Sequence, residues 1–181
     1  MTTRYQIFAG ALIVAAAACA TGDRSASPAV SADSAMARSM SDDSQWPSYG
    51  RDYSNRRFSP LTQISTTNVN RLVVAWTYHT GISKAFEDSP VVIDGTMYIS
   101  TPDDHVVALD AKTGTKKWEY VPVLKTTVHC CGPVNRGVAV YRGRVYFATL
   151  DARLIALDAG DGHVLWDTTV QDNRLGYSET M

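Results

Sequence analysis

The chain has 181 residues, enough for one ordinary domain with a sizeable core, and its formal net charge at pH 7 is −1. Hydrophobic residues make up 45% of the sequence and charged residues 19%, as in an ordinary globular protein. A net charge so close to zero gives no electrostatic reason to expect a nucleic acid or an anionic membrane surface as a partner.

Residues 1–20 are predicted to be an export signal. Residues 7–18 form an uninterrupted apolar run that is too short to span a bilayer comfortably but suits the hydrophobic region of a signal peptide. Two modes of processing stay open. The usual signal peptidase would cleave near Ala18 or Ala20, whereas cleavage just before Cys19 would attach a lipid there and anchor the protein to the membrane.

A change of composition separates the next segment from the folded part. Residues 21–45 are rich in Ser, Ala and Asp and contain no aromatic residue, so they are predicted to be a disordered tether. The folded part is expected to comprise residues 46–181, because aromatic and β-branched residues become frequent from Trp46 onward.

The start of the folded part is predicted to have little regular structure. Residues 46–60 are aromatic and rich in turn-forming residues, with no helical period. One helical turn is expected within residues 66–72, capped by Thr67 or Asn68. A strand is predicted at residues 72–78 from their β-branched and aromatic side chains.

A four-strand unit then occurs twice. The first unit contains an Asp94-Gly95 turn, a strong hairpin signal, and its predicted strands are residues 89–93, 96–100, 106–110 and 116–120. The second unit repeats the order with a turn at Arg142-Gly143. Its predicted strands are residues 137–141, 144–149, 153–158 and 164–166.

The two units also share a sequence motif. Residues 108–118 match residues 156–166 at an offset of 48, each beginning Ala-Leu-Asp-Ala and ending in Gly-x-x-x-Trp. Four strands at this period with a fixed aromatic residue indicate β-propeller blades, so the predicted fold class is all-β. We expect Trp118 and Trp166 to pack against the following blade, and the Asp and Gly to set the turn between the third and fourth strands.

The length of the folded part fits an incomplete propeller. At roughly 45 residues per blade, residues 46–181 hold about three units, whereas closed propellers have about four to eight. We therefore expect the chain to be the N-terminal part of a longer propeller, with an exposed edge on its last sheet.

Two adjacent cysteines, Cys130 and Cys131, precede Arg136 in a segment between the two units. Neighbouring α-carbons lie about 3.8 Å apart, whereas disulfides prefer about 4.4–6.8 Å, so a bridge between these residues would be a strained ring. Export to an oxidising compartment permits disulfides, and loss or lipidation of Cys19 leaves the pair to bond to each other or to another chain. Two unbridged thiols are the alternative.

Residues 46–181 resemble the quinoprotein alcohol dehydrogenases, which are periplasmic eight-bladed propellers that use pyrroloquinoline quinone (PQQ) and calcium. The resemblance is carried by the repeats ending at Trp118 and Trp166, by residues 49–55 together with residues 59–61, and by Cys130-Cys131 followed by Asn-Arg-Gly at residues 135–137. It implies a periplasmic location.

The resemblance also implies five cofactor-binding residues. Cys130 and Cys131 would form a disulfide ring that stacks on one face of the quinone. Glu87 would hydrogen-bond PQQ, and Arg136 would pair with its carboxylates, as an Arg fork suits a planar tricarboxylate. Thr180 would contact the cofactor too, although the residues on either side of it depart from the family's motif.

The activity that the resemblance implies is the oxidation of a primary alcohol, with a c-type cytochrome as a possible electron acceptor. A general base would take the hydroxyl proton while hydride passes to the quinone C5 carbonyl, polarised by calcium. In that family the catalytic Asp and the calcium ligands follow the region matched here, so we predict no catalytic and no metal-ligating residue in this chain and expect it to be inactive alone.

A second hypothesis is a non-catalytic lipoprotein built from the same PQQ-like repeats, acting as an assembly or binding scaffold. Cys19 and the predicted tether favour it. The adjacent cysteines, Glu87 and Arg136 argue against it, since a scaffold does not need residues that bind a cofactor.

Overall fold

The computed structural model of the protein describes residues 38–125 and 131–180, which form two four-stranded antiparallel sheets. In each sheet the strands lie in chain order, so every strand pairs with its neighbour in the sequence. The first sheet contains β1 (Val91–Ile93), β2 (Thr96–Thr101), β3 (His105–Asp110) and β4 (Lys116–Tyr120). The second contains β5 (Ala139–Tyr141), β6 (Arg144–Ala148), β7 (Arg153–Asp158) and β8 (Val164–Thr169). The predicted all-β propeller fold is confirmed.

The first hairpin of each sheet has the tight turn that its sequence predicts. Asp94 and Gly95 have φ angles of 49° and 71°, and Arg142 and Gly143 have φ angles of 49° and 70°. Two successive positive φ angles match the right-handed twist of the flanking strands, which is why a two-residue turn closes both hairpins.

The turn between the third and fourth strands is also built as predicted. The Asp110 carboxylate accepts hydrogen bonds from the backbone amides of Lys112 and Thr113, at 3.0 and 2.8 Å. Gly114 and Gly162 close the two turns with φ angles of 72° and 78°.

Trp118 joins the first sheet to the second. Its indole N–H donates to the carbonyl of Ala159 at 3.0 Å, and its ring lies so close to Gly162 that a Cβ there would be 2.6 Å from Trp118 Cε3. Only glycine leaves room for the ring at this turn. The prediction that a repeat's Trp packs against the following blade is confirmed for Trp118.

The prediction of a strand at residues 72–78 is wrong. The segment forms no ladder, and Val73 and Val74 are 87% and 80% exposed. β-branched side chains favour extended backbone, but a strand also needs a neighbouring strand, and the described residues place none there. The segment is held instead by Trp76, whose ring covers Gly114 as Trp118 covers Gly162.

The core lies between the two sheets. Tyr120 of β4 meets Phe147 of β6 edge to face, with ring centroids 5.8 Å apart. The aliphatic side chains buried with them include those of Val106, Val145, Ile155 and Leu157. Each contributes about 1.5–3 kcal/mol relative to exposure, so the sheets stabilise each other mainly through apolar burial.

The remaining described segments are short. The helical turn predicted within residues 66–72 is a 3-10 turn, Val69–Arg71. The predicted side-chain cap is wrong, because Asn68 occupies the capping position but its side-chain oxygen accepts from the amide of Ser65, before the turn. Residues 38–41 are helical, and Asp43 pairs with Arg51 at 2.9 Å, so this end of the predicted tether contacts the folded part.

Among the described residues, no helix is long and apolar enough to cross a membrane. The predicted signal, Cys19 and most of the predicted tether lie outside the described residues.

Candidate functional site

Glu87 and Arg136 occupy loops that lead into the first strand of each sheet, Glu87 before β1 and Arg136 before β5. Because β1 and β5 are neighbours, the two side chains meet, and Arg136 Nη2 lies 2.9 Å from Glu87 Oε2. Both side chains are about half exposed, at 48% and 45%. An ion pair in so much solvent stabilises a fold by no more than about 1 kcal/mol, so it is accessible to a ligand at little structural cost.

Thr180 reaches the same place from the C-terminal segment. Arg136 Nη1 donates to the Thr180 hydroxyl oxygen, while the neighbouring amide of Glu179 donates to the Thr149 carbonyl at 3.1 Å. Three of the five predicted cofactor-binding residues are therefore in contact, although 44 residues separate Arg136 from Thr180.

The structure describes only one of the two adjacent cysteines, Cys131. Cys131 is exposed and lies on the loop that leads to Arg136. Cys130 lies outside the described residues, so the disulfide between Cys130 and Cys131 stays a prediction.

Backbone contacts bring the two loops together. The amide of Ser89 donates to the Arg136 carbonyl at 3.2 Å. Gly137 has a φ of 139°, and a Cβ there would lie 3.2 Å from the Ser89 carbonyl oxygen. Glycine at residue 137 therefore allows the Arg136 loop to approach the Glu87 loop.

Asp88 fixes the Glu87 loop to the first sheet. Its carboxylate accepts from the backbone amide and the hydroxyl of Ser100, at 2.9 and 2.8 Å. Burial raises the pKa of Asp88, and the hydrogen bonds from Ser100 oppose that rise. The side chain next to Glu87 is thus a structural anchor for the loop.

The sequence did not predict the buried pair of Asp104 and Asn135. Asn135 Nδ2 donates to Asp104 Oδ1 at 2.8 Å and to the Ala148 carbonyl at 3.0 Å, and Asn135 Oδ1 accepts from the Gly137 amide at 3.2 Å. Burial raises the pKa of Asp104 to about 6. Two successive Asp residues between strands were the available signal, but a turn rich in Asp is usually solvated.

A cleft of about 520 Å³ opens beside the Glu87–Arg136 pair. Its walls include Tyr49 from the leading segment, Val91 of β1, and the residues of β5. The cleft therefore offers an aromatic and aliphatic surface with one cationic and one anionic side chain at its edge, an arrangement suited to a flat ligand with polar substituents.

Asp158, Asp161 and His163 form a separate group whose ligand atoms lie within 4.8 Å of one another, on the turn between β7 and β8. His163 Nδ1 is 2.6 Å from Asp161 Oδ1, and this contact raises the pKa of His163. Nδ1 of the His163 ring is therefore already in contact with a neighbouring carboxylate, and no other feature of the described residues at this turn indicates a metal ion.

Comparison with known proteins identifies the family. Residues 46–168 match the PQQ family described as the β-propeller domain of glucose/ethanol/alcohol dehydrogenases. The chain belongs to this family. The resemblance inferred from the tryptophan repeats is thereby confirmed.

Relatives in the family share substantial sequence with this chain. It is 45% identical over 101 residues to the quinohemoprotein alcohol dehydrogenase ADH-IIG of Pseudomonas putida, over 54% of this chain and 14% of that protein. It is 43% identical over 105 residues to the lanthanide-dependent methanol dehydrogenase of Methylacidiphilum fumariolicum, over 55% of this chain and 17% of that protein.

Solved structures agree with the sequence matches. A quinohemoprotein alcohol dehydrogenase ADHIIG from Pseudomonas putida HK5 superposes with a TM-score of 0.76 at 38% identity, covering 81% of this chain and 22% of that one. A europium-containing methanol dehydrogenase gives the same TM-score and identity, covering 81% and 27%. The chain thus spans a quarter or less of most of these relatives.

Proposed function

We propose that the described residues form one part of a PQQ-binding site in an alcohol dehydrogenase. The observation that carries the proposal is the position of Arg136, which contacts both Glu87 and Thr180 at the edge of the 520 Å³ cleft. These three residues come from separate segments and are the ones that the resemblance relates to the cofactor. Membership of the PQQ family supports the same reading.

The chemistry of these side chains fits the cofactor. Arg136 has five N–H donors, so its contacts with Glu87 and Thr180 leave others for a carboxylate of PQQ. Glu87 offsets the charge of Arg136 and can accept a hydrogen bond from an N–H group. When bound, PQQ supplies the quinone that takes up the electrons removed from an alcohol.

The cysteine pair is assigned to the same site. We propose that Cys130 and Cys131 form a disulfide that covers one face of the bound quinone. The support is that Cys131 is exposed and lies on the same loop as Arg136, which Gly137 lets approach the Glu87 loop.

Relatives' names suggest the substrate and the electron acceptor. A protein from Thauera butanivorans that is 41% identical over 102 residues is named 1-butanol dehydrogenase (cytochrome c). We propose that a primary alcohol is the substrate and that a c-type cytochrome accepts the electrons in the periplasm. Calcium is the proposed metal, and the lanthanide named for one relative is the alternative to test.

Titration of the complete natural polypeptide with PQQ in the presence of calcium tests the proposal. The variant Arg136→Gln should weaken PQQ binding about 10- to 100-fold, the effect of losing one charged hydrogen-bond donor to the ligand. Arg144→Gln, a change of the same type at an exposed residue of β6, should leave the dissociation constant within about 2-fold, a margin near 0.4 kcal/mol. If the natural protein does not bind PQQ, or both variants bind it equally well, the proposal is wrong.

Reduction of a dye by 1-butanol, with calcium and then with a lanthanide, tests the reaction and its metal.

A further inference from the structure

The turn between β2 and β3 has an unusual backbone. Asp103 and Asp104 both have a φ of 63°, in the left-handed region. Asp adopts this conformation more readily than most residues, but as a single residue, and strained backbone of this kind is often found beside functional sites. We therefore expect the two Asp residues of this turn to have a role in addition to connecting β2 to β3.

The Asp104 carboxylate links three segments. It is fully buried, its Oδ1 accepts from Asn135 Nδ2 at 2.8 Å, and its Oδ2 accepts from the backbone amide of Leu150 at 2.6 Å. Leu150 lies in the corresponding turn of the second sheet, between β6 and β7. One side chain of the first sheet thus fixes both the loop before β5 and a turn of the second sheet.

Both contacts lead to Arg136. Asn135 precedes Arg136 in the chain, and its side chain holds the amide of Gly137, so the backbone on either side of Arg136 depends on how Asn135 is oriented. The turn that contains Leu150 also binds the C-terminal segment, because the Thr149 carbonyl accepts from the amide next to Thr180.

The adjacent Asp103 contacts the loop that follows the cysteines and the segment that precedes Glu87. Its amide donates to the Pro133 carbonyl at 2.9 Å, on the loop that follows the cysteines. Its carboxylate forms an ion pair with Lys84, three residues before Glu87. The turn at residues 101–104 is therefore in contact with the segments that carry Glu87, Cys131 and Arg136.

We propose that Asp104 is a positioning residue of the cofactor site: by holding Asn135 and the Leu150 amide together, it places Arg136 against Glu87 and Thr180. The inference rests on the proposed function, since it assigns a role relative to the PQQ that Arg136 would bind. Asp104 acts through Asn135 and does not itself contact the ligand.

The variant Asp104→Asn tests this role with little change of shape. The amide that replaces the carboxylate has one acceptor and one donor end, whereas Asn135 and Leu150 both present donors, so one contact is lost. PQQ binding by the complete polypeptide, measured by fluorescence titration in the presence of calcium, should weaken about 10-fold. Asn135→Ala removes the same link from its other end and should weaken binding similarly, which keeps the test available if one variant fails to fold.

A destabilising core variant separates positioning from general destabilisation. Val106→Ala creates a cavity in the same sheet at a fully buried residue of β3 that is outside the site. Its PQQ affinity at a temperature well below unfolding should stay within about 2-fold of the natural protein's, a margin near 0.4 kcal/mol. An equal loss of affinity in Val106→Ala and Asp104→Asn would overturn the proposal.

A double-mutant cycle distinguishes failure of this inference from failure of the proposed function. If Asp104 acts through Arg136, then adding Asp104→Asn to Arg136→Gln should weaken binding by less than about 2-fold more, because the interaction is already lost. Full additivity, or unchanged binding by Asp104→Asn while Arg136→Gln weakens it, overturns the positioning role alone. Unchanged binding by Arg136→Gln overturns the proposed function instead.

Discussion

The two sheets have the same four strands and the same tryptophan motif, yet their tryptophans have different surroundings. Trp118 is 8% exposed, because the turn of the second sheet covers its ring and Ala159 accepts its N–H. Trp166 holds the equivalent place in β8 and is more exposed, with the Tyr146 ring of its own sheet 6.0 Å from its ring centroid. The comparison teaches that a repeat covers its own tryptophan only in part and that the following repeat completes the burial, as expected for stacked units.

The sheets also differ in the charges that link their third and fourth strands. In the first sheet, His105 Nδ1 lies 3.5 Å from Glu119, and both side chains are partly exposed. In the second sheet, the equivalent Arg153 is buried and pairs with Asp151 at 2.9 Å and Asp167 at 2.5 Å. The same strand positions thus hold a weak contact in one sheet and a buried network in the other.

The buried network supports the loop that leads to the cysteines. Arg153 Nη2 donates to the Val123 carbonyl at 3.1 Å, and Asp151 accepts from the Lys125 amide at 2.9 Å. Burial alone would raise the pKa of Asp151, but hydrogen bonds from Arg153 and other donors outweigh it and hold this pKa below its ordinary value. The second sheet therefore anchors the outgoing end of the loop, and the first sheet anchors its return at Pro133 and Asn135.

Replacing the two tryptophans should show the largest difference between the sheets. We expect Trp118→Ala to lower the free energy of unfolding by about 4 kcal/mol, because a buried ring and its hydrogen bond are lost. Trp166→Ala should lower the same free energy by less, about 1–2 kcal/mol, since that ring is more exposed to solvent. Urea denaturation of both variants measures this; equal losses would show that the two environments do not differ.

Breaking the charged links should give a smaller difference. Arg153→Gln leaves Asp151 buried without its cation and should cost about 3 kcal/mol, as is usual when one partner of a buried pair is removed. His105→Gln, the matched change in the first sheet, should cost less than about 1 kcal/mol. Thermal and urea unfolding of the two variants measures these losses. The comparison would be contradicted if His105→Gln lowered the free energy of unfolding as much as Arg153→Gln.

The smallest expected effect is a pH dependence at Asp104, whose place in the second sheet is taken by Ala152, also at positive φ. Because the folded pKa of about 6 lies above the ordinary 3.8, the contribution of Asp104 is fully present below pH 3.8 and is lost as the pH rises through 6. Between about pH 5 and pH 7.5 the free energy of unfolding should fall by about 1.4 kcal/mol from this group.

Urea midpoints of the natural protein and of Asp104→Asn at the two pH values isolate this contribution. The charged groups around Asp104 are Asp103 with its partner Lys84 and Asp151 with its partner Arg153, all of which both proteins retain. The difference in stability between natural protein and variant should therefore change with pH. A difference that is the same at both pH values would contradict the raised pKa.

The sequence predicted much of the fold because its signals are local. Turn dipeptides such as Asp94-Gly95 fix hairpins whatever surrounds them, and all eight strands of the two sheets form within a few residues of their predicted bounds. The strand expected at residues 72–78 did not form, since pairing depends on a neighbour that propensity does not reveal. Trp76 was assigned to that strand, and its contact with Gly114 could be found only in three dimensions.

The candidate site could be proposed from the sequence only because the chain resembles a known family. Glu87, Arg136 and Thr180 were named from motifs, and no local signal shows that residues so far apart meet. Asp104 was missed because its role depends on burial between two turns. A polar residue acquires that burial only from the packing of both sheets, which the sequence around it does not encode.

The contact between Trp118 and the turn at Gly162 makes the Trp118 ring an intrinsic fluorescence probe of contact between the two sheets. An indole ring changes its fluorescence when it moves from water into an apolar contact, and this ring belongs to the first sheet while its cover belongs to the second. Its emission therefore reports the docking of one repeat on the next together with its contact with Tyr98 in its own sheet, whose ring centroid lies 5.9 Å away. With the other three tryptophans of the sequence replaced, the remaining signal would come from this one ring and so from this one junction between sheets.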